Sequence, residues 1–165
     1  MRFKLQDQKS LAGDQRGVAL LELAVILPVL LTIGLGAIDF GNLIYQNHLI
    51  LNGVRDAARY AAGFQTSTPL ANIQNVAVYG MKDISGAPPP RVTGWTAGNV
   101  TVAYSTIANG TGSCGAARCF RGGDTITMVT VNASVPYTSL GFMGYLGLGS
   151  ITLSATHQER LFGVR

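Results

Sequence analysis

Glu22 is the only ionisable residue between Val18 and Ile38, a run of 21 positions that is otherwise apolar or small. A carboxylate there can neutralise a cation at membrane depth, because two groups that are each unfavourable in lipid become less so as a pair. Arg55 and Arg59 stand four apart and share a helical face, with Asp56 three positions before Arg59 and able to screen it. Cys114 and Cys119 are the only cysteines. An even pair around Gly115-Ala116-Ala117-Arg118 reads, in an oxidising compartment, as a disulfide closing a short loop, worth about 2 kcal/mol of chain entropy. His48 and His157 have no partner at ligand spacing, whereas zinc needs about four ligands, so neither a metal nor a cofactor is expected. No motif joins a nucleophile, a base and an orienting group, which argues against an enzyme.

The element that must position Glu22 is a helix. From Val18 to Ile38 it would be roughly 31 Å long, matching a hydrocarbon core of about 30 Å. A charge at mid-bilayer costs about 2.5 to 3.5 kcal/mol, but Glu22 lies one turn in from Val18 and reaches the interface, so it either pairs with a cation or simply snorkels. The leader carries Arg2, Lys4, Lys9 and Arg16 against Asp7 and Asp14, and the first charge beyond the span is Asp39. The N-terminus therefore stays cytoplasmic and the rest is exported. An ordinary cleaved secretion signal is the alternative; against it stand the length of the run, the acid within it and the lack of a small-x-small site at its end. The net charge of +4 falls to +2 beyond the leader, which supplies four of the 12 basic and two of the eight acidic residues, and no basic cluster suggests nucleic acid.

Pro28 lacks the amide that would bond the carbonyl of Ala24 and should bend the helix. Gly34, Ala37 and Gly41 allow close approach of another helix, with Ala37-x-x-x-Gly41 forming a small-x-x-x-small face. From Asp39 to Ala62 the pattern turns amphipathic: Phe40, Leu43, Ile44, Leu51, Val54, Ala58 and Ala61 fall on one broad face, with Asp39, Asn42, Gln46, Arg55, Asp56 and Arg59 mostly off it. One continuous helix from about Val18 to Ala62 is predicted. It ends at Gly63 and the polar run to Pro69. Leu70 to Tyr79 is ambiguous, with a short helix closed by Gly80 preferred. Pro88-Pro89-Pro90 forbids regular structure. Strands are expected at Val100–Tyr104, Thr125–Tyr137 and Ile151–His157. The parity switch near Met128 implies a bulge or a strand buried on both faces. Residues 138–150 are too apolar for an ordinary loop: they either dip toward the membrane or a neighbouring subunit, or pack on their own sheet, which is preferred.

Gly17 followed by Glu22 at the mouth of an apolar helix resembles the class III signal of type IV pilins and pseudopilins. The longer stretch Arg16-Gly17-Val18-Ala19-Leu20-Leu21-Glu22, with Asp39-Phe40-Gly41 and Arg55-Asp56-Ala57-Ala58-Arg59, resembles the TadE-like family of minor pilins of the tight-adherence (Flp, type IVb) pilus over about residues 16 to 62. The resemblance implies cleavage after Gly17 by a prepilin peptidase, so that Val18 becomes the new N-terminus and Glu22 the fifth residue. It implies that Glu22 helps align a subunit in the helical bundle, makes Pro28 expected within the span, and makes the Arg55/Arg59 pair a hallmark. On residue grounds alone that pair reads equally well as a solvated face.

The expected fold is α+β: a long N-terminal helix packed against a small antiparallel sheet. Residues 1–17 form the leader, 18–38 the transmembrane half of the helix, 39–62 its exported half, and 63–165 the exported globular part with a short helix and strands. The expected function is that of a minor pilin or pseudopilin of the bacterial inner membrane, single-pass with a periplasmic domain, which enters or primes an adhesive pilus. Its expected partners are the prepilin peptidase, the major and other minor pilins, the inner-membrane assembly platform and the lipid bilayer. The alternative is a permanently anchored scaffold that never enters the fibre. Residues singled out for subunit assembly are Glu22, Pro28, Asp39, Arg55 and Arg59; for helix packing, Gly34, Ala37 and Gly41.

Overall fold

The computed structural model describes residues 15–64, 68–86, 88–110, 118–147 and 151–162. Helix α1 runs from Gln15 to Phe64 with Pro28 inside it. The chain divides between Ile38 and Asp39 into two units, and α1 contributes to both. In the first unit the apolar side chains from Val18 to Ile38 are all exposed. The helix is long and apolar enough to cross a membrane, with a mean hydropathy of 2.5 over its best window. Beside Pro28, the Thr32 hydroxyl donates to the Pro28 carbonyl at 2.7 Å.

In the second unit α1 packs against a three-stranded antiparallel sheet. Helix α2 spans Leu70–Tyr79 and ends at Gly80, whose φ of 78° is left-handed and whose N–H returns to the Val76 carbonyl. The short helix preferred for this stretch is thus present. After the proline connector, strands β1 (Val100–Ala108), β2 (Thr125–Pro136) and β3 (Thr152–Arg160) follow, with a four-residue helix α3 (Phe142–Tyr145) between the last two. Strand order is β1-β2-β3. Both ladders keep one register throughout, from Val100↔Ala133 to Ala108↔Thr125 and from Met128↔Arg160 to Pro136↔Thr152. No bulge occurs near Met128. Val129, Val131, Ala133 and Val135 line the core face, while Ile126, on the opposite parity, is buried too. The parity switch in the sequence therefore marks a strand covered on both faces at its start.

The core brings Ile50, Val54, Ala57, Ala58, Ala61 and Ala62 of α1 against Ile73, Ala77 and Val78 of α2 and against the inner face of the sheet. Small side chains on α1 let the layers approach closely. The buried stripe is rotated from the one read off the sequence: Phe40 and Ile44 are exposed, whereas Asp39, Ile50 and Ala57 are buried. Polar Asp39, Asn42 and Gln46 continue the line of Ile50 and Val54, so the inward face is polar at one end. That mixed stripe is what misled the periodicity. Trp95, one residue after Gly94 (φ 83°), is buried in the same core.

Candidate functional site

Where α1 enters the second unit, Asp39 gathers the chain that follows β2. Its side chain is fully buried. Oδ1 lies 2.5 Å from the Tyr137 hydroxyl and accepts the Leu140 N–H at 3.0 Å, while Oδ2 accepts the Met143 N–H at 2.8 Å. The Tyr137 oxygen is also 2.8 Å from the Asp39 carbonyl, but it carries one proton, and the charged carboxylate is the stronger acceptor. Asn42 Nδ2 donates to the Tyr137 oxygen at 3.2 Å, and Gln46 Nε2 donates to the Thr138 carbonyl at 3.1 Å. Positions 39, 42 and 46 lie on one face of α1, so a single turn-by-turn ladder clamps residues 137–143.

The electrostatics follow from this geometry. The Tyr137 hydroxyl, then the Leu140 and Met143 amides, hold the Asp39 carboxyl below its ordinary range, against an opposing effect of burial. Burial, followed by the neighbouring Asp39, raises Tyr137, so it stays protonated as a donor. The clamp is an anionic anchor whose partners are two backbone amides and a phenol.

The other residues read from the sequence sit as follows. Gly17, Val18, Glu22, Pro28, Gly34, Ala37 and Gly41 are exposed along α1. A methyl group built on Gly17, Gly34 or Gly41 would meet nothing among the described residues. Arg55 and Arg59 are exposed, and neither has an ion-pair partner among the described residues. Asp56 does not screen Arg59: its carboxylate takes Arg91 at 2.7 Å. Arg91 is held there by its own N–H, which bonds the Val78 carbonyl at 2.8 Å, and its guanidinium lies against Gly80. Cys119 is not a free thiol. Cys114 lies outside the described residues, as does the leader before Gln15.

His157 is 3.1 Å from Glu159, and no group of three or more His, Cys, Asp or Glu that could hold a metal occurs among the described residues. The sequence reading missed Tyr137 as the partner of Asp39, and Asn42 and Gln46 as donors to Tyr137 and Thr138. The available signal was the seven-residue spacing that links Asp39 and Gln46 to Gly53, in line with Ile50. It missed Asn109 as well. That buried amide donates to the carbonyls of Phe120 and Gly123 at 2.8 and 2.9 Å and accepts the Phe120 N–H at 2.9 Å, closing the segment between β1 and β2.

No curated protein and no solved structure matches the chain at a significant level. One family model does match, over residues 17–59, and its description is TadE-like protein. The matched segment runs from Gly17 through Glu22, Pro28 and Asp39 to Arg55 and Arg59; the sheet lies beyond it. Over that N-terminal helical region, the chain is similar to the TadE-like family.

Proposed function

We propose that the chain is a minor pilin or pseudopilin of a tight-adherence pilus: inserted in the inner membrane, cut after Gly17 by a prepilin peptidase, and incorporated into or priming the fibre with its exported domain in the periplasm. The observation that carries this is one unbroken helix whose apolar side chains from Val18 to Ile38 are exposed and whose last part is the spine of a folded α+β unit. Taken with the TadE-like match, that arrangement supports a subunit held in lipid by its N-terminal half and recruited through the same half. In this reading residues 18–38 are the span and 39–165 the exported part. Glu22 pairs with the new amine of Val18, from the same or a neighbouring subunit. The faces around Gly34, Ala37 and Gly41, and the exposed guanidinium groups of Arg55 and Arg59, meet other pilins or the assembly platform. Asp39 contributes indirectly, by fixing the chain that follows β2. Cys114 pairs with Cys119 in the oxidising periplasm. The chain performs no catalysis of its own.

The mass of the mature N-terminus, measured in cells with and without the prepilin peptidase, tests the proposal. A chain starting at Val18 only when the peptidase is present is expected. An intact Met1, or a start beyond Ile38, overturns it. A chain cut at Val18 but absent from sheared filaments would assign it to priming or scaffolding rather than to the fibre.

A further inference from the structure

Between Thr125 and Gln158 the chain has no Asp, Glu, Lys or Arg. Within this uncharged stretch, Leu140, Tyr145 and Leu146 are 67%, 87% and 51% exposed. Apolar side chains this free on an exported domain call for a surface to meet. Their position is set by Asp39. The carboxylate holds the amides of Leu140 and Met143 at 3.0 and 2.8 Å, and Asp39 is the residue that follows Ile38, the last of the apolar run. Phe40, next in α1, is 56% exposed as well.

We propose that residues 139–147 form a membrane-docking element that inserts Leu140, Tyr145 and Leu146 into the outer face of the bilayer carrying the chain's own helix. The proposal rests on the reading of residues 18–38 as the span. If those 21 residues fill a hydrocarbon core of about 30 Å, Asp39 stands at the boundary between acyl chains and headgroups. A segment hydrogen-bonded to both oxygens of that carboxylate then lies at the same depth. The chemistry suits this level: tyrosine is amphipathic and favours the headgroup region, the leucines suit the upper acyl chains, and no charge has to be desolvated.

The test uses the full chain with Tyr145→Trp, in dilute phosphatidylethanolamine–phosphatidylglycerol vesicles containing lipids brominated at shallow or deep acyl positions. Trp95 is the only native tryptophan, and the unsubstituted chain supplies its background. Tyr145 is exposed, so the substitution leaves folding intact. The expected result is a blue-shifted emission quenched about twofold more by shallow than by deep bromines. Adding Leu140→Ser and Leu146→Ser should abolish most of that quenching. A chain that floats with the vesicles but shows unquenched, water-like emission overturns the docking element and leaves the span intact. Emission that shifts only as protein density rises assigns the patch to a second copy and also overturns it. A native chain that fails to float with the vesicles overturns the span and the docking element together.

Discussion

Gly53→Ala adds one methyl group to a buried point on α1 where helix propensity alone favours the change. A Cβ built on Gly53 falls 2.4 Å from the carbonyl oxygen of Ala77 and 2.6 Å from Cη2 of Trp95, with Cζ3 at 3.0 Å. The first obstacle is main chain in the last turn of α2, and the second is a tryptophan buried in the core, so neither can swing aside. Relief requires α2 or the indole to retreat by about 1 Å, in a core where overpacking by a methyl group costs about 1–3 kcal/mol. The upper end applies, because two rigid groups are met at once. Replacing glycine by alanine in a helix returns about 1 kcal/mol. The net expectation is a loss of roughly 2 kcal/mol, or a melting temperature lower by roughly 6–10 °C for a unit of this size. Trp95 emission in detergent-solubilised full-length chain reports the transition directly, since Trp95 is the only tryptophan and touches the site. Gly41→Ala is the matched control: the same change in the same helix, into open space, should stabilise by up to about 1 kcal/mol. A Gly53→Ala chain as stable as the native one, with unaltered Trp95 emission, would refute the close packing of α1, α2 and Trp95.

The Asp39 clamp predicts an acid limit. Because its carboxyl is lowered in the folded chain, the stabilisation is complete above the ordinary value of about 4 and is lost as pH falls through the lower folded value. Thermal melts across this range should show an acid limb that Asp39→Asn reduces; equal limbs would exclude Asp39 as its source. Asn109→Ala leaves two carbonyls and one amide without partners and should cost about 2–3 kcal/mol in chemical unfolding. Asn109→Asp should not rescue it, since a carboxylate cannot donate; full rescue would contradict the bonding assigned here. Glu22→Leu should leave insertion and N-terminal processing near native while reducing incorporation into sheared filaments. Unchanged incorporation would remove the pairing of Glu22 with the Val18 amine.

The parts of the fold legible in the sequence are those written in local periodicity. Helix α1 was visible because an apolar run passes without a turn signal into a 3-to-4 pattern. Helix α2 was visible from Ile73, Val76 and Ala77 with a closing glycine, and the three strands from alternation. What escaped depends on partners far along the chain. Local spacing puts Asp39 in line with Gln46 and Gly53, but what makes its burial tolerable is remote: its donors are Tyr137, Leu140 and Met143, about a hundred positions away. A rule that sends charged residues outward placed it on the wrong side of the helix. Asp56 was assigned to Arg59, its neighbour in sequence, because Arg91 becomes adjacent only when the connector folds back to Val78. Exposed pairs of this kind contribute only tenths of a kcal/mol, so local spacing gave little basis for choosing between partners.

The glycines of α1 separate two kinds of constraint that look identical in the sequence. Each weakens a helix by up to about 1 kcal/mol relative to alanine, so each has to be offset by something. For Gly53 the compensation is internal: Trp95 and the Ala77 carbonyl occupy the space its missing side chain leaves. For Gly34 and Gly41 no atom of the described residues lies within reach of a Cβ, although both sit in the same continuous helix. Any packing gain at those two positions therefore comes from outside the described residues. Lipid tails conform to alanine as readily as to glycine, whereas a second helix gains close backbone approach only where the side chain is missing. Gly41→Ala accordingly separates the two requirements: the isolated chain should become slightly more stable while its incorporation beside other subunits falls. A substitution that improved both would mean that no neighbouring helix uses that face.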